Sequence, residues 1–139
     1  RWLASRGWSP AEARAGAARV ARMLATTLAS ADGQWVLRRR NDAAAELALT
    51  RVGAGATAQT SVVDRSFVAD GVRWIIDYKT ADLGQYADPE RLRAHAERYR
   101  TQLEAYAVLF ADEGLPQRLA VFYAAHGILA TLEYNPLHV

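Results

Sequence analysis

The sequence predicts an α/β fold: a central mixed β-sheet, an antiparallel hairpin plus later strands, flanked by helices. Three observations carry that expectation. Helical and strand patterns alternate along the chain. One Asp-Gly dipeptide, Asp70-Gly71, sits between two β-branched and aromatic runs, a strong hairpin signal. A long helical pattern then separates that hairpin from a second pair of strands, which makes an α/β sandwich.

The chain has 139 residues, with 51% hydrophobic and 23% charged, the balance of one ordinary globular domain over 1–139. No apolar run approaches the roughly 20 residues of a membrane span, and no leader pattern opens the chain. It begins with Arg1, not Met, and reads as a piece of a longer polypeptide. Cysteine is absent, which excludes disulfides, thiolate zinc sites and a cysteine-held iron–sulfur cluster. That absence fits a reducing, cytoplasmic setting. A net charge of +2 permits an acidic partner without demanding one. Of 17 basic residues the single lysine is Lys79; the rest are arginines. One lysine kept in so arginine-rich a chain suggests chemistry that needs an ammonium group.

Residues 1–8, with Trp2 and Trp8, read as a connecting segment. Ser9-Pro10-Ala11-Glu12 is a capping-box start for a helix to about Ala29. Val20, Leu24 and Leu28 recur every four residues and predict its buried stripe. Arg14, Arg19 and Arg22 are expected on a solvated face. Asp32-Gly33 reads as a turn and Trp35–Arg40 as a strand with an exposed arginine end. A second strand spans Ala44–Thr50, with Glu46 isolated among apolar residues, and Gly53–Ala58 is a small-residue loop.

In the hairpin, a two-residue loop at Asp70-Gly71 pairs Ala69 with Val72 and Phe67 with Trp74. It also pairs Asp64 with Asp77. The two acids then face each other with Cβ atoms roughly 4.5–5.5 Å apart. Lys79, two residues on, shares their face. Phe67, Trp74, Val63 and Tyr78 take the other face and pack on a helix. Facing carboxylates repel unless a cation lies between them, so the pattern implies a metal position. Hard oxygen donors suit Mg²⁺ or Mn²⁺, and a lysine beside such a metal serves phosphodiester hydrolysis.

After an irregular loop at 81–87, Asp88-Pro89 opens a second long helix to about Asp112. Leu92, Tyr99, Leu103, Tyr106 and Phe110 lie on one side of it, and Gln102 and Tyr106 are four apart. His95 on this helix reads as structural or exposed. Leu119–Tyr123 and Ile128–Tyr134 are the last strands, joined at Gly127.

Val63-Asp64-Arg65, Ile75-Ile76-Asp77-Tyr78-Lys79-Thr80 and Gln102-Leu103-Glu104-Ala105-Tyr106, in that order, resemble the RecB-type branch of the PD-(D/E)XK nucleases. The resemblance covers about residues 44–110. It implies a PD-(D/E)XK core and an exonuclease V-like, Mg²⁺- or Mn²⁺-dependent deoxyribonuclease. Asp64, Asp77 and Lys79 would be catalytic. Asp64, Asp77, Glu46 and the Tyr78 backbone carbonyl would hold the metal. Gln102, Tyr106 and Thr80 would organise the site or contact DNA. The implied partners are single-stranded DNA or duplex ends, a helicase domain upstream in the same chain, and a partner subunit, in recombination and repair. No iron–sulfur cluster is implied. Two positions depart from the family pattern: Ser61 stands where a Gly is common, and the helix at 10–29 carries no histidine. The alternative is a nuclease-like module that no longer cuts and binds DNA or a partner subunit.

Overall fold

The computed structural model describes residues 7, 9–40, 44–52 and 58–136; in the strands, side chains are described from Asp64 onward. Helix α1 spans Pro10–Ala29 and α2 spans Ala31–Leu37. Strands β1 (Ala44–Val52), β2 (Ala58–Ala69) and β3 (Val72–Lys79) follow, then α3 (Pro89–Ala96), α4 (Arg100–Val108), β4 (Gln117–Tyr123) and β5 (Ile128–Leu132). The five strands form one sheet in the order β1-β2-β3-β4-β5. It is mixed: β3 and β4 run parallel and the other pairs antiparallel. The α/β class with a mixed sheet is therefore as the sequence predicts. Among the described residues no helix is long and apolar enough to cross a membrane.

The start of α1 follows its capping box: Ser9 N donates to Glu12 at 2.7 Å and Glu12 N to the Ser9 hydroxyl at 3.2 Å. Its expected stripe is corrected. Val20, Leu24 and Leu28 are 51%, 55% and 61% exposed, and the buried residue of the helix is Thr27. The reason lies in the next element, where a strand was expected over Trp35–Arg40 and α2 stands instead. Ser30 caps it, accepting from Gly33 N at 2.9 Å, and Asp32 occupies its first turn, where a carboxylate favours the helix dipole. Asp32 also accepts from Leu129 N at 2.9 Å, tying the corner to β5. A Cβ at position 33 would sit 1.9 Å from the Thr27 carbonyl oxygen, so only glycine allows this close turn. The short α2, not α1, then covers the sheet: Val36 is buried with Phe67, Ile76, Ala120 and Phe122, and Trp35 and Trp74 pack against them. Arg40, expected at a strand end, lies over the Phe67 ring at 3.8 Å. Arg65 reaches back to the carbonyls of Val36 and Arg38.

The hairpin has the register its turn requires. Ala69 pairs with Val72, Val68 with Arg73, Phe67 with Trp74 and Arg65 with Ile76. Asp70 and Gly71 both have positive φ, 51° and 75°, as a type I′ turn demands. Only one packed face was expected, and both are packed. The acid-bearing face continues through Ile75 into a core with Leu92, Ala96, Leu103, Leu119 and Val121. A strand buried on both sides suits the parallel β3–β4 pairing.

The second helix is not continuous to Asp112. A 3₁₀ turn at Glu97–Tyr99 divides α3 from α4, and another at Ala111–Glu113 ends at Gly114 in the left-handed region. The division brings Leu92 and Ala96 on one side, and Leu103 and Ala107 on the other, into one core. Asp88 caps α3 as expected, accepting from Arg91 N at 2.8 Å. The last strand stops at Leu132, two residues before its expected end. Trp2, Trp8, the loop after β1 and the side chain of Glu46 lie outside the described residues.

Candidate metal centre

The C-terminal half of β3 carries the site. Ile75 and Ile76 anchor the strand in both cores, which fixes where Asp77 and Lys79 emerge. Asp77 is 6% exposed. Lys79 Nζ lies 2.8 Å from the buried Oδ2 of Asp77, an ion pair. Across the hairpin, Asp64 Oδ2 accepts from Tyr78 N at 2.9 Å. The ladder pairs residues from Ala69–Val72 to Arg65–Ile76, so the expected Asp64–Asp77 pair falls one step past its last pair, and Asp64 meets β3 there through its side chain.

Burial, then the Asp64 carboxylate beside it, push the Asp77 carboxyl up to about 6, against the pull of Lys79. Burial works to lower Lys79, but Asp77 outweighs it and the lysine is raised, so it stays an ammonium. A charged lysine stabilises negative charge; it does not take a proton from water. Two carboxylates crowded at one strand end are hard donors of the kind that suit Mg²⁺ or Mn²⁺. Among the described residues no set of three metal-binding side chains converges. By register, Ala45 faces Arg65 and Leu47 faces Val63, so position 46 falls between them, level with Asp64.

The other expected site residues divide. Gln102 Nε2 donates to the Tyr106 hydroxyl at 2.8 Å, so the pair forms, on an exposed stretch of α4. Neither residue makes a hydrogen bond or ion pair with Asp64, Asp77 or Lys79. Thr80 is exposed and lines a cleft beside α1.

The sequence reading missed two aromatic neighbours of Lys79, Tyr99 and Tyr123, and the His95 that joins them. Lys79 Nζ lies 4.4 Å from the centre of the Tyr99 ring, a cation–π contact. The Tyr99 and His95 rings are 5.9 Å apart, and His95 Nδ1 is 2.7 Å from the Tyr123 hydroxyl. Tyr123 pairs with Lys79 across the parallel β3–β4 ladder. Burial pushes the Tyr123 hydroxyl up to about 12, and burial followed by Arg98 lowers His95, so both are neutral near pH 7. The chain matches no protein-family model, and no curated protein is similar to it.

Proposed function

We propose that this chain is a metal-dependent deoxyribonuclease domain with a RecB-type PD-(D/E)XK core, attached to a DNA helicase of cytoplasmic recombination and repair. The observation that carries this reading is the buried Asp77 carboxylate, set between the Lys79 ammonium at 2.8 Å and a second acid, Asp64, that helps to raise it. Asp64, Asp77, Glu46 and the Tyr78 carbonyl form the proposed donor set. Mg²⁺ or Mn²⁺ held there supplies Lewis acidity toward a phosphodiester and its attacking water.

The chain's own groups do the rest. Asp77 and Asp64 concentrate negative charge at the strand end. Lys79, kept cationic, stabilises the charge that grows on the phosphoryl oxygens in the transition state. Tyr99 holds the lysine's stem and head toward the acids. Gln102, Tyr106 and Thr80 flank the path of the DNA strand.

The test is cleavage of single-stranded and linear duplex DNA in Mg²⁺ or Mn²⁺. Wild-type protein is expected to cut. Asp77→Ala and Lys79→Ala are expected to lose cutting while keeping the circular dichroism of the fold, and equal cutting by either variant overturns the assignment. Mn²⁺ binding with no cutting of either DNA form would favour the non-cutting module.

A further inference from the structure

At the same strand end as the acids, but on the opposite face of the sheet, lies a cleft of about 600 Å³ that includes Thr80. One wall is α1, with Arg19, Arg22 and Thr26; the other is Thr80, Asp82 and Ala125. The two arginines are three residues apart and share a helix face. Neither makes an ion pair or a hydrogen bond among the described residues, and both are exposed. The acid on the opposite wall is committed to its own loop: Asp82 Oδ1 accepts from Gly84 N at 2.8 Å and lies 3.5 Å from His126 Nε2. The cleft is thus a basic one with two hydroxyls, a donor set that suits phosphate oxygens.

A second observation is independent of charge. At Met23 and Thr80 the cleft runs into an apolar groove of about 330 Å³, lined by Val20, Leu24, Tyr78 and Phe122 among others. The Tyr78 and Phe122 rings stand edge to face in it, 6.2 Å apart. Exposed leucine and valine on α1, unexplained by the core, become the rim of this groove. A basic track beside an apolar, aromatic-lined groove matches the two halves of a nucleotide in a single strand. Each volume is in the range that holds a small ligand, not a duplex.

We infer that this double cleft binds single-stranded DNA, with phosphates on Arg19 and Arg22 and a base in the groove of Val20, Leu24, Tyr78 and Phe122. Resting on the nuclease reading for its direction, the strand passes the C-terminal ends of β3 and β4. Thr80 directly follows Lys79 and Ala124 N donates to the Lys79 carbonyl at 3.0 Å, so a strand leaving the cleft reaches the acids by rounding the end of β3 to the other face. Arg19 and Arg22 are positioning residues: they hold the strand while the acids act on a neighbouring phosphodiester.

The test measures binding of a labelled oligothymidylate in EDTA by fluorescence anisotropy over a salt series, so that no cutting is required. Each phosphate contact on a single strand adds about 0.7 to the log–log salt slope, and Arg19→Ala/Arg22→Ala should flatten it by about 1.4. Affinity should fall with it, and Arg19→Lys/Arg22→Lys should restore the slope. Both positions are exposed on a helix where alanine is favourable, so the thermal midpoint should hold. Leu24→Ser, which leaves the charge unchanged, should weaken binding without changing the slope. An unchanged slope and affinity in the double alanine variant, or no binding by wild type, overturns the inference. Equal competition by thymidine 5′-monophosphate at matched nucleotide concentration assigns the cleft to a free nucleotide and overturns it too. Arginine-dependent binding without cleavage would refute the nuclease reading alone; cleavage with arginine-independent binding would refute this one alone.

Discussion

Asp77 sets the behaviour of the site at the residue scale. Its carboxyl, raised from the ordinary 3.8 to about 6, favours the fold when protonated. That contribution is complete below about pH 4 and is lost as pH rises through about 6. The rise costs the ionised carboxylate roughly 3 kcal/mol in the metal-free protein. Melting in EDTA from pH 4 to pH 8 should therefore show a fall centred near pH 6 that Asp77→Asn lacks. In the proposed donor set the same group would govern metal binding with the opposite sign, because protons compete with the cation. Mn²⁺ affinity by calorimetry should weaken as pH drops below about 6. A pH-independent affinity across that window would remove Asp77 from the donor set.

Arg73 is a second residue-scale case. It is buried, with Nε donating to Glu113 Oε1 at 2.8 Å and Nη1 to the Ser66 hydroxyl at 3.2 Å, and it lies over the Phe110 ring. Glu113→Ala strands a buried guanidinium. Glu113 is itself partly exposed, so the loss should be about 2 kcal/mol, below that of a fully buried pair. Denaturant unfolding of the variant measures it.

At the scale of elements, the hairpin was legible and the α1–α2 corner was not. The Asp70-Gly71 turn is local chemistry: its positive φ values depend on two residues, and the register follows by counting. Ser9 and Asp88 announced their helices for the same reason. Trp35 and Val36, by contrast, are adjacent apolar residues that fit a strand as well as a short helix. What decides between them is local: Ser30 caps Gly33 as Ser9 caps Glu12, and Gly33 approaches Thr27 six residues back, but Asp32-Gly33 fits a plain turn as well as a capped helix start. Gly33→Ala should cost about 3 kcal/mol, since the obstacle is backbone and cannot swing aside. The α1 stripe failed in the opposite way. Its period is correct for a buried face, but α2 occupies the sheet and leaves Leu28 61% exposed. Leu28→Lys should shift stability by less than about 0.5 kcal/mol, far below the cost at a core leucine. Chemical denaturation separates the two.

For the whole molecule, the sheet with a packed core on each side holds the acid site rigid. The candidate acids and lysine were readable because they lie within 16 residues of one hairpin, Asp64 to Lys79. Tyr99 and Tyr123 were not, because the 3₁₀ break and the parallel β3–β4 pairing that bring them there are products of the assembled fold. A cation bound at the site should stabilise the entire unit, since folding is coupled to ligand binding. At 100 times its dissociation constant the gain is about 2.7 kcal/mol. Mn²⁺ should raise the melting temperature of wild type and leave that of Asp77→Ala unmoved.

The two-residue hairpin loop also dictates which kinds of change the chain tolerates. Asp64 stands six positions before Asp70, and Asp77 six after Gly71, so the arms are of equal length and the loop has no slack. Substitutions along the arms alter packing by degrees. One residue added to or removed from either arm leaves the arms unequal and turns an acid to the other side of the sheet. In a library of variants, the segment from Asp64 to Asp77 should therefore accept many replacements and almost no insertions or deletions. Survivors among the latter should come in pairs, one on each arm, that restore the count.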